Sequence, residues 1–465
     1  MQRIILFLSF NVLAFFISLQ ANAQLFVTGG GLVIDSGAVI NLKGDLISNT
    51  DINGTGKIIL NGTIAQNVSM NNYSIPNLEV NNAQNITLAS GVKIQRALIF
   101  VNGKIVAGNN IFTLSNVATA SGMGAGKFIE TNGTGLVYKE LTSNVTSFEM
   151  PIGFSSGYHP LFLTSNATLY SNAKIGVKSM SVSNPNRPSF STDYLNTYWP
   201  ITRTGIAGTV TAVGQYVDPT DVVGTEASFR GCFHDGYQWS SISGTNDAAL
   251  NRVGAAVSVN GGSLYGMTRF AMVGIKSFLQ GFYNSGAMNA GLYTLALSTD
   301  LTATDSVSVN LWSASTLNNS NPNYSIKSIL HTNGYSNIIL PESTIGSRYY
   351  LALNHRNSIE TWSANTVLIN TNTDYDFTSS LSSAYGDGVN PPMKLMPDGK
   401  YAIYAGDANR DGGIDISDMQ IVENNAADFI FGYYNSDCNG DGSADISDMQ
   451  LIENNAGLFI YYARP

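Results

Sequence analysis

The sequence predicts a mainly β protein, with a β-solenoid and β-sandwich body followed by a small α-helical domain at the C-terminus. Three observations support this fold class. Charged residues make up only 12% of the 465 residues, while glycine (46), tyrosine (23) and phenylalanine (21) are abundant, a composition typical of extracellular β proteins. Short apolar runs separated by turn residues fill most of the chain. Near the C-terminus, two segments show the apolar spacing of helices instead.

The N-terminus has the three parts of a secretory signal peptide. A basic start is followed by the apolar residues 4–19 and by the small-residue pattern Ala-Asn-Ala at 21–23. A transmembrane helix, the alternative, needs about 20 apolar residues, and Ser9 and Asn11 interrupt this run. We therefore predict a signal peptide at 1–23 and a secreted or cell-surface protein. Because no second long apolar run follows, we expect no membrane span after signal removal.

The negative charge of the chain is concentrated at its end. The formal net charge is −9, and the residues from Tyr401 onward contain eleven acidic residues and two arginines. The preceding residues are balanced, with 21 acidic and 21 basic side chains. This distribution predicts a cation site near the C-terminus and no basic patch of the kind that binds nucleic acid.

Residues 24–117 are predicted to form a series of short strands. Apolar residues alternate in runs such as KIILNGTI and ALIFVNGKIVAG, and Asn102-Gly103 is a strong turn signal between two runs. Strands that recur without a helical interval predict a β-solenoid or a stacked β-meander. The sequence shows no strict repeat length that would separate these alternatives.

Two further β regions are predicted, at 118–275 and 276–404. The later one contains strands such as SVSVNLWSA and RYYLALNH and predicts a β-sandwich. The middle region contains four aromatic residues that could form a platform for sugar rings, although aromatic residues in strands are more often core side chains. These residues are Tyr198, Trp199, Tyr237 and Trp239.

The catalytic motifs in these regions are weak. The stretch from Gly153 to Gly157 satisfies G-x-S-x-G with His159 nearby, but a nucleophile elbow needs a strand and then a helix, and here apolar runs lie on both sides. His355, beside Arg356 near a strand end, is interpreted either as an acid–base group or, preferably, as a tie between strand and loop. None of the four histidines lies four residues from another, which disfavours a zinc site.

Two segments near the C-terminus are near-copies, offset by 30 residues. They are GDANRDGGIDISDMQIVENNA, from Gly406, and SDCNGDGSADISDMQLIENNA, from Ser436. Each contains a twelve-residue loop with candidate oxygen ligands at positions 1, 3, 5, 7, 9 and 12. In loop 1 (407–418) these are Asp407, Asn409, Asp411, Gly413, Asp415 and Asp418; in loop 2 (437–448) they are Asp437, Asn439, Asp441, Ser443, Asp445 and Asp448.

This spacing suits a calcium ion. Ca²⁺ takes six to eight oxygen ligands at about 2.3–2.6 Å, and side chains at positions 1, 3 and 5 converge on it only where the chain then turns sharply. Gly412 and Gly442 permit that turn at position 6, and position 7 contributes a backbone carbonyl. The alternative, a pair of ordinary surface turns, is disfavoured because four carboxylates in each loop would repel one another without a cation. We predict two bound Ca²⁺ ions and folding that depends on calcium.

Each loop leads into a predicted amphipathic helix. Met419, Val422 and Ala426 follow loop 1 at i, i+3 and i+7, and the same spacing recurs after loop 2. The carboxylates at positions 9 and 12 are assigned to the metal in preference to helix capping. Two such helices, packed around their methionines, form a core too small to fold alone.

The paired loops and helices, with aspartate at position 12, resemble the type I dockerin domain over residues 405–465. This resemblance implies an EF-hand-like calcium-binding domain that joins an exported protein to a cohesin partner, usually in a polysaccharide-degrading assembly. The family often has Lys or Arg on the helix that meets cohesin, whereas this chain has Glu423-Asn424-Asn425 and a matching copy. The string RYYLALNHRNSIETWSA also resembles an adhesin-associated module that precedes such calcium tails in large surface proteins.

These features predict an exported, non-catalytic surface or extracellular protein with an adhesin-type body that binds glycans or proteins. Its expected partners are a cohesin-like or other surface protein and a polysaccharide. The alternative is a polysaccharide-degrading enzyme of the O-glycosyl hydrolase class that carries a dockerin. This alternative stays open because the paired carboxylates of a glycosidase come from different strands and leave no spacing motif.

Overall fold

The computed structural model describes residues 19–21, 24–242, 244–257 and 260–465. The predicted signal peptide therefore lies outside the described residues, apart from the short strand Leu19–Ala21, which pairs in parallel with Val39–Leu42. The chain divides into two compact units, Met1–Arg269 and Phe270–Pro465. The protein is mainly β, with a β-solenoid arrangement and helices at the C-terminus, as the sequence predicts.

Stacked parallel strands form the first part of the N-terminal unit. One ladder consists of Leu25–Val27, Leu46–Ser48, Gln66–Ser69, Ile86–Leu88, Ile105–Val106, Ile129–Glu130 and Ile152–Phe154. Paired residues are 19 positions apart at one step, Ile86 with Ile105, and 24 apart at the next, Ile105 with Ile129. Coils of unequal length explain why the sequence shows no strict repeat.

A second parallel ladder runs beside the first. Its strands are Val39–Leu42, Lys57–Leu60, Ser74–Asn81, Val92–Asn102, Phe112–Leu114 with Thr119–Ser121, and Val137–Leu141; Leu32–Ile34 pairs separately with Ile52–Gly54. Apolar residues of alternating strand positions, such as Ile58, Leu60 and Leu98, are fully buried between the ladders. The parallel pairing continues past residue 117, the predicted end of this region, to Val137–Leu141 and Ile152–Phe154.

Antiparallel strands continue from the last coil. Val137–Leu141 pairs with Leu161–Val177, which pairs in turn with the long strand Tyr194–Gln215. The remaining strands of this region are Val145–Met150, Gly157–Tyr158, Val222–Val223, Phe229–His234, Trp239–Ser241, Thr245–Asp247, Arg252–Val257 and Gly261–Thr268. Large aromatic side chains, including Trp199, Tyr216 and Tyr265, fill its core.

The C-terminal unit begins with a β-sandwich, called here the sandwich (270–404). In one sheet, Phe270–Lys276 lies between Tyr335–Pro341 and Asn372–Asp376. The facing sheet contains Tyr324–His331, Ala303–Trp312, Arg348–Asn354 and Thr361–Trp362, with Val367–Leu368 paired to Arg348–Asn354. Short elements complete it: Tyr283–Asn284 with Ala287–Met288, α1 (Gly291–Thr294), and Lys394–Leu395 with Tyr401–Ala402.

The tail (405–465) contains the helices α2 (Ile416–Ala427) and α3 (Ile446–Ala456). Val422 and Ile452, one from each helix, are fully buried in a small core, with Met419 and Met449 only partly buried around it. Ile359 and Tyr404 of the sandwich belong to the same core and therefore enlarge the apolar surface that the tail buries. Within the described residues, no helix combines the length and the apolar character needed to cross a membrane.

Candidate metal centre

The two loops have nearly the same internal hydrogen bonds. In loop 1, the amide of Asp411 donates to Asn409 Oδ1 at 2.7 Å, and the amide of Gly413 donates to Asp411 Oδ1 at 3.0 Å. The corresponding bonds of Asp441 and Ser443 in loop 2 measure 2.8 and 2.9 Å. In both loops the side chains at positions 3 and 5 therefore turn inward, toward the backbone of their own loop.

A left-handed glycine stands at position 6 of each loop. The φ angle is +90° at Gly412 and +88° at Gly442, values at which a side chain with a Cβ atom is strained. A Cβ atom on Gly412 would also lie 2.4 Å from the ring of Tyr462, and a Cβ atom on Gly442 would lie 2.5 Å from the side chain of Leu295. Backbone conformation and packing thus both favour glycine at the turn.

The carboxylates at positions 9 and 12 cap the two helices. Asp415 accepts the amide of Ser417 at 2.8 Å, and Asp418 accepts the amide of Asp415 at 2.9 Å. Asp445 and Asp448 form the same capping box at α3. The sequence predicts that these carboxylates bind the metal in preference to capping, whereas the structure places them in the caps. The two roles are compatible because an ionised carboxylate offers about four lone-pair sites.

Asp407, at position 1 of loop 1, is buried with an unsatisfied oxygen. The residue is 4% exposed, and its Oδ1 has no hydrogen-bond partner. Burial, and after it the neighbouring charges of Asp418 and Asp411, raises the pKa of Asp407 to about 7. An unpaired buried carboxylate oxygen is unfavourable, and a cation bound at Asp407 would relieve that cost. The residues of loop 1 therefore fit a metal ion.

Loop 2 satisfies its position-1 carboxylate differently. Asp437 Oδ1 accepts the amides of Gly440 and Asp441 at 2.8 and 3.1 Å, and Oδ2 lies 3.2 Å from Arg356 Nη2. Burial raises the pKa of Asp437, and the Arg356 charge opposes that shift. Asp448 is fully buried, and burial raises its pKa to about 6. Asp437 thus has a basic partner from outside the tail.

Carboxylates, thiols and imidazoles alone do not form a metal cage in the part of the chain that the structure describes. No group of three or more His, Cys, Asp or Glu side chains there is arranged to hold a metal ion. The predicted ligand set of each loop differs in kind from such a group. It includes an asparagine oxygen at position 3 and a backbone carbonyl at position 7.

Arg356 connects loop 2 to the sandwich. Its side chain is 9% exposed, and its Nε donates to Asp305 Oδ2 at 3.0 Å. Burial alone would raise the pKa of Asp305, but His355, Arg356 and Tyr433 together lower it to about 2. Arg356 is not among the metal-site residues predicted from the sequence. The only available signal was its position near the end of a predicted strand, because its acidic partners are distant in sequence.

His355 is buried beside Arg356 and contacts the same carboxylate, Asp305. The residue is 6% exposed, and its Nδ1 is 2.9 Å from Ser358 Oγ. Its Nε2 is 3.2 Å from Asp305 Oδ2, without the alignment of a hydrogen bond. Burial lowers the pKa of His355. This position matches the interpretation of His355 as a residue that fastens a strand end.

The G-x-S-x-G stretch forms a hairpin turn. Strands Ile152–Phe154 and Gly157–Tyr158 pair in antiparallel fashion around the exposed Ser155, so the serine does not precede a helix. His159 is 1% exposed, and its Nε2 lies 2.7 Å from Asp221 Oδ2. This buried pair fastens the hairpin to the loop that carries Asp221, and the hairpin agrees with the predicted pair of strands around a polar turn.

The aromatic residues of the middle region do not share a sugar-binding surface. Trp199 and Trp239 are 0% and 4% exposed, and their indole N–H groups donate to backbone carbonyls. Tyr237, in contrast, is 54% exposed. The tryptophans are core side chains, as is usual for aromatic residues in strands.

The sandwich contains a cavity of about 340 Å³ lined mainly by apolar groups, among them Met393, Leu395, Tyr401 and Tyr404. Lys394 is the charged residue of its lining within the described residues. A glycosidase needs a pair of carboxylates at the scissile bond. This cavity therefore lacks the arrangement that would favour the enzyme alternative.

Comparison with known proteins gives a weak structural likeness. No family model and no curated protein matches the sequence. Among solved structures, chains of an N-terminal and of a C-terminal interface mutant of a type II cohesin–X-dockerin complex from Acetivibrio cellulolyticus are similar to this chain. The first is 14% identical with a TM-score of 0.23, and the second is 13% identical with a TM-score of 0.24. Each alignment covers 40% of this chain and 94% of the other, and scores this low carry no argument about fold or function.

Proposed function

We propose that the chain is an exported, non-catalytic surface or extracellular protein whose tail is stabilised by two calcium ions, one in loop 1 and one in loop 2. The β-rich body binds glycans or other proteins, and the tail joins the body to a cohesin-like or other surface protein. The calcium ligands are the twelve residues at positions 1, 3, 5, 7, 9 and 12 of the two loops.

The observation that supports this proposal most directly is the state of Asp407. Its buried Oδ1 has no partner, although Asn409, Asp411 and Asp418 of the same loop each accept a backbone amide. Calcium would supply the missing positive charge and, bound by folded but not unfolded chain, would stabilise the tail by mass action. No chemistry beyond charge neutralisation and coordination is required of the ion.

Thermal unfolding of the mature chain tests the calcium part of the proposal. With calcium in about hundredfold excess over its dissociation constant, each ion would add about 2.7 kcal/mol of stability. We expect a chelator to lower the melting temperature of the tail transition, and Asp407→Asn to remove part of this response. An unchanged melting curve on chelation would overturn the calcium assignment.

A binding screen on a glycan array, run beside a reducing-sugar release assay, tests the role of the body. We expect retention of glycans or of a protein ligand without sugar release. Sugar release without tight retention would favour the alternative, an O-glycosyl hydrolase class enzyme that carries a dockerin. Pull-down with a purified cohesin, with and without calcium, tests the proposed partner of the tail.

A further inference from the structure

Arg356 contacts the position-1 carboxylate of loop 2, whereas the position-1 carboxylate of loop 1 has an oxygen without a partner. Its Nη2 lies 3.2 Å from Asp437 Oδ2, while Asp437 Oδ1 already accepts two backbone amides. About three of the four lone-pair sites of this carboxylate are therefore engaged. In loop 1, Oδ1 of the equivalent Asp407 has no partner.

Contacts from both the sandwich and the tail hold Arg356 in this position. The guanidinium also binds the buried Asp305 through Nε at 3.0 Å and donates through Nη1 to the carbonyl oxygen of Tyr434. The ring of Tyr433 lies 4.6 Å from the guanidinium carbon, which adds a cation–π contact. Moving Arg356 away from Asp437 would therefore strain or break several other contacts. The positive charge is a fixed part of the surroundings of loop 2.

The neighbouring residue reinforces the same contact. Asn357 Nδ2 donates to the backbone carbonyls of Asn435 and Asp437, at 3.0 and 2.6 Å. Loop 2 is thus fastened to the sandwich through its backbone as well as through Asp437. These bonds do not involve a metal ion, so they hold loop 2 whether or not calcium is bound.

We propose that the two loops bind calcium with unequal affinity, loop 1 tightly and loop 2 weakly, and that Arg356 sets the weaker affinity of loop 2. This inference rests on the proposed function. A fixed positive charge beside a ligand carboxylate repels the incoming divalent ion, and inside a protein this repulsion is larger than in water. Arg356 also competes with calcium for lone pairs of Asp437. At intermediate calcium, loop 1 is filled while Arg356 still neutralises loop 2.

Calorimetric titration of the mature chain with calcium tests the inequality. We expect two binding steps whose affinities differ on the order of tenfold or more. Asp411 and Asp441 are matched ligands, because both stand at position 5 of their loops and both are exposed. Asp411→Ala should remove the tight step, and Asp441→Ala should remove the weak one. Equal affinities, or the reverse assignment of the two steps, would overturn the inference.

Substitution of Arg356 tests its role. Arg356→Gln should raise the affinity of the weak step on the order of tenfold and leave the tight step unchanged. Asp305→Asn should lower the affinity of the weak step, because it leaves more of the Arg356 charge unneutralised next to loop 2. General destabilisation of the fold would shift both variants in the same direction. An unchanged weak step in Arg356→Gln, or a weak step that does not fall in Asp305→Asn, would refute the role of Arg356.

The same titration separates this inference from the proposed function. Two equal calcium-binding steps would refute the inequality and support the calcium assignment. Absence of calcium binding, also in Arg356→Gln, would refute both.

Discussion

Loop 1 and loop 2 share their local structure and differ in their surroundings. The capping amides of Asp415 and Asp445 donate to position 12 at 2.9 and 3.0 Å, so the two frames agree closely. At position 1, however, Asp407 has an unpaired buried oxygen, whereas Asp437 is bound by Arg356. Spacing along the chain therefore determines the frame of hydrogen bonds. Residues that are distant in sequence, such as Arg356, determine which charges lie next to each loop.

The two loops also differ at position 4. In loop 1 this residue is the exposed Arg410, with φ of +63°, and in loop 2 it is the buried Gly440, with φ of +76°. A Cβ atom on Gly440 would lie 1.9 Å from the Phe282 ring of the sandwich. One loop is thus packed against the sandwich at position 4, and the other faces solvent there. Duplicated segments have taken different structural roles, one as an anchor and one as an open loop.

The largest expected difference between the loops concerns position 12. Asp448 is fully buried and accepts the amides of Cys438, Asn439 and Asp445. We expect Asp448→Ala to destabilise the calcium-free tail by about 3–5 kcal/mol, because it removes a cap and leaves buried donors unpaired. Asp418 is equally buried, and Asp418→Ala removes the bonds from Asn409 and Asp415 together with a weaker contact from Ala408, so we expect a loss of about 2–3 kcal/mol. Urea unfolding of the mature chain in chelator measures both losses.

Asp448→Asn is the control for this prediction. It keeps the shape and an acceptor oxygen but removes the charge, so its cost without calcium should be smaller than that of Asp448→Ala. If Asp418→Ala lost as much free energy of unfolding as Asp448→Ala, or more, position 12 would not stabilise loop 2 more than loop 1.

The comparison also indicates what the sequence could predict. The β-rich body follows from alternation and turn residues, the terminal helices follow from their i, i+3, i+7 spacing, and Gly412 and Gly442 follow from the loop pattern. The unequal coils left the solenoid and the stacked meander as open alternatives. Arg356 could not be predicted as part of the site, because it lies 81 residues from Asp437 and no local rule links them. For the same reason, the sequence could not predict that Gly440 packs against Phe282 while Arg410 remains exposed.

The next largest effect is expected for Gly440→Ala. The substitution places a Cβ atom in a left-handed conformation and against the Phe282 ring, with a separation of 1.9 Å before relaxation. We expect a loss of about 2–4 kcal/mol from backbone strain and overpacking together. Gly440→Ala combined with Phe282→Leu should recover part of the loss, as measured by thermal unfolding. Without such recovery, packing on Phe282 would not be the cause.

Stability without calcium should depend on pH in a way that distinguishes the loops. The pKa of Asp407 is raised to about 7 and that of Asp448 to about 6. A carboxyl with a raised pKa binds more protons when folded, so stability is lost as pH rises from its unfolded value through its folded value. These two carboxyls should therefore raise the melting temperature of the calcium-free chain as pH falls from about 8 to about 5. Buried His355, whose pKa is lowered, opposes that rise below about pH 6.5.

Asp407→Asn should remove the part of this dependence near pH 7 and leave the part near pH 6 that belongs to loop 2. Saturating calcium should suppress both parts, because the bound ion keeps the carboxylates ionised. The pKa of Asp305 is lowered to about 2, so the stability that this carboxylate contributes is lost only below the pH range of this experiment. A pH dependence in Asp407→Asn equal to that of the unsubstituted chain would refute the unsatisfied state of Asp407.

The smallest effect on the free energy of unfolding is expected at position 4 of loop 1. Arg410 holds φ of +63°, which costs a residue with a Cβ atom about 1 kcal/mol. Arg410→Gly should therefore be more stable than Arg410→Ala by about 0.5–1 kcal/mol in urea unfolding, and both variants lose the same charge. The difference between glycine and alanine at Gly440 should be larger, because Phe282 adds a steric contact there that loop 1 lacks. Equal differences at the two positions would mean that backbone conformation alone, and not packing against the sandwich, requires glycine in loop 2.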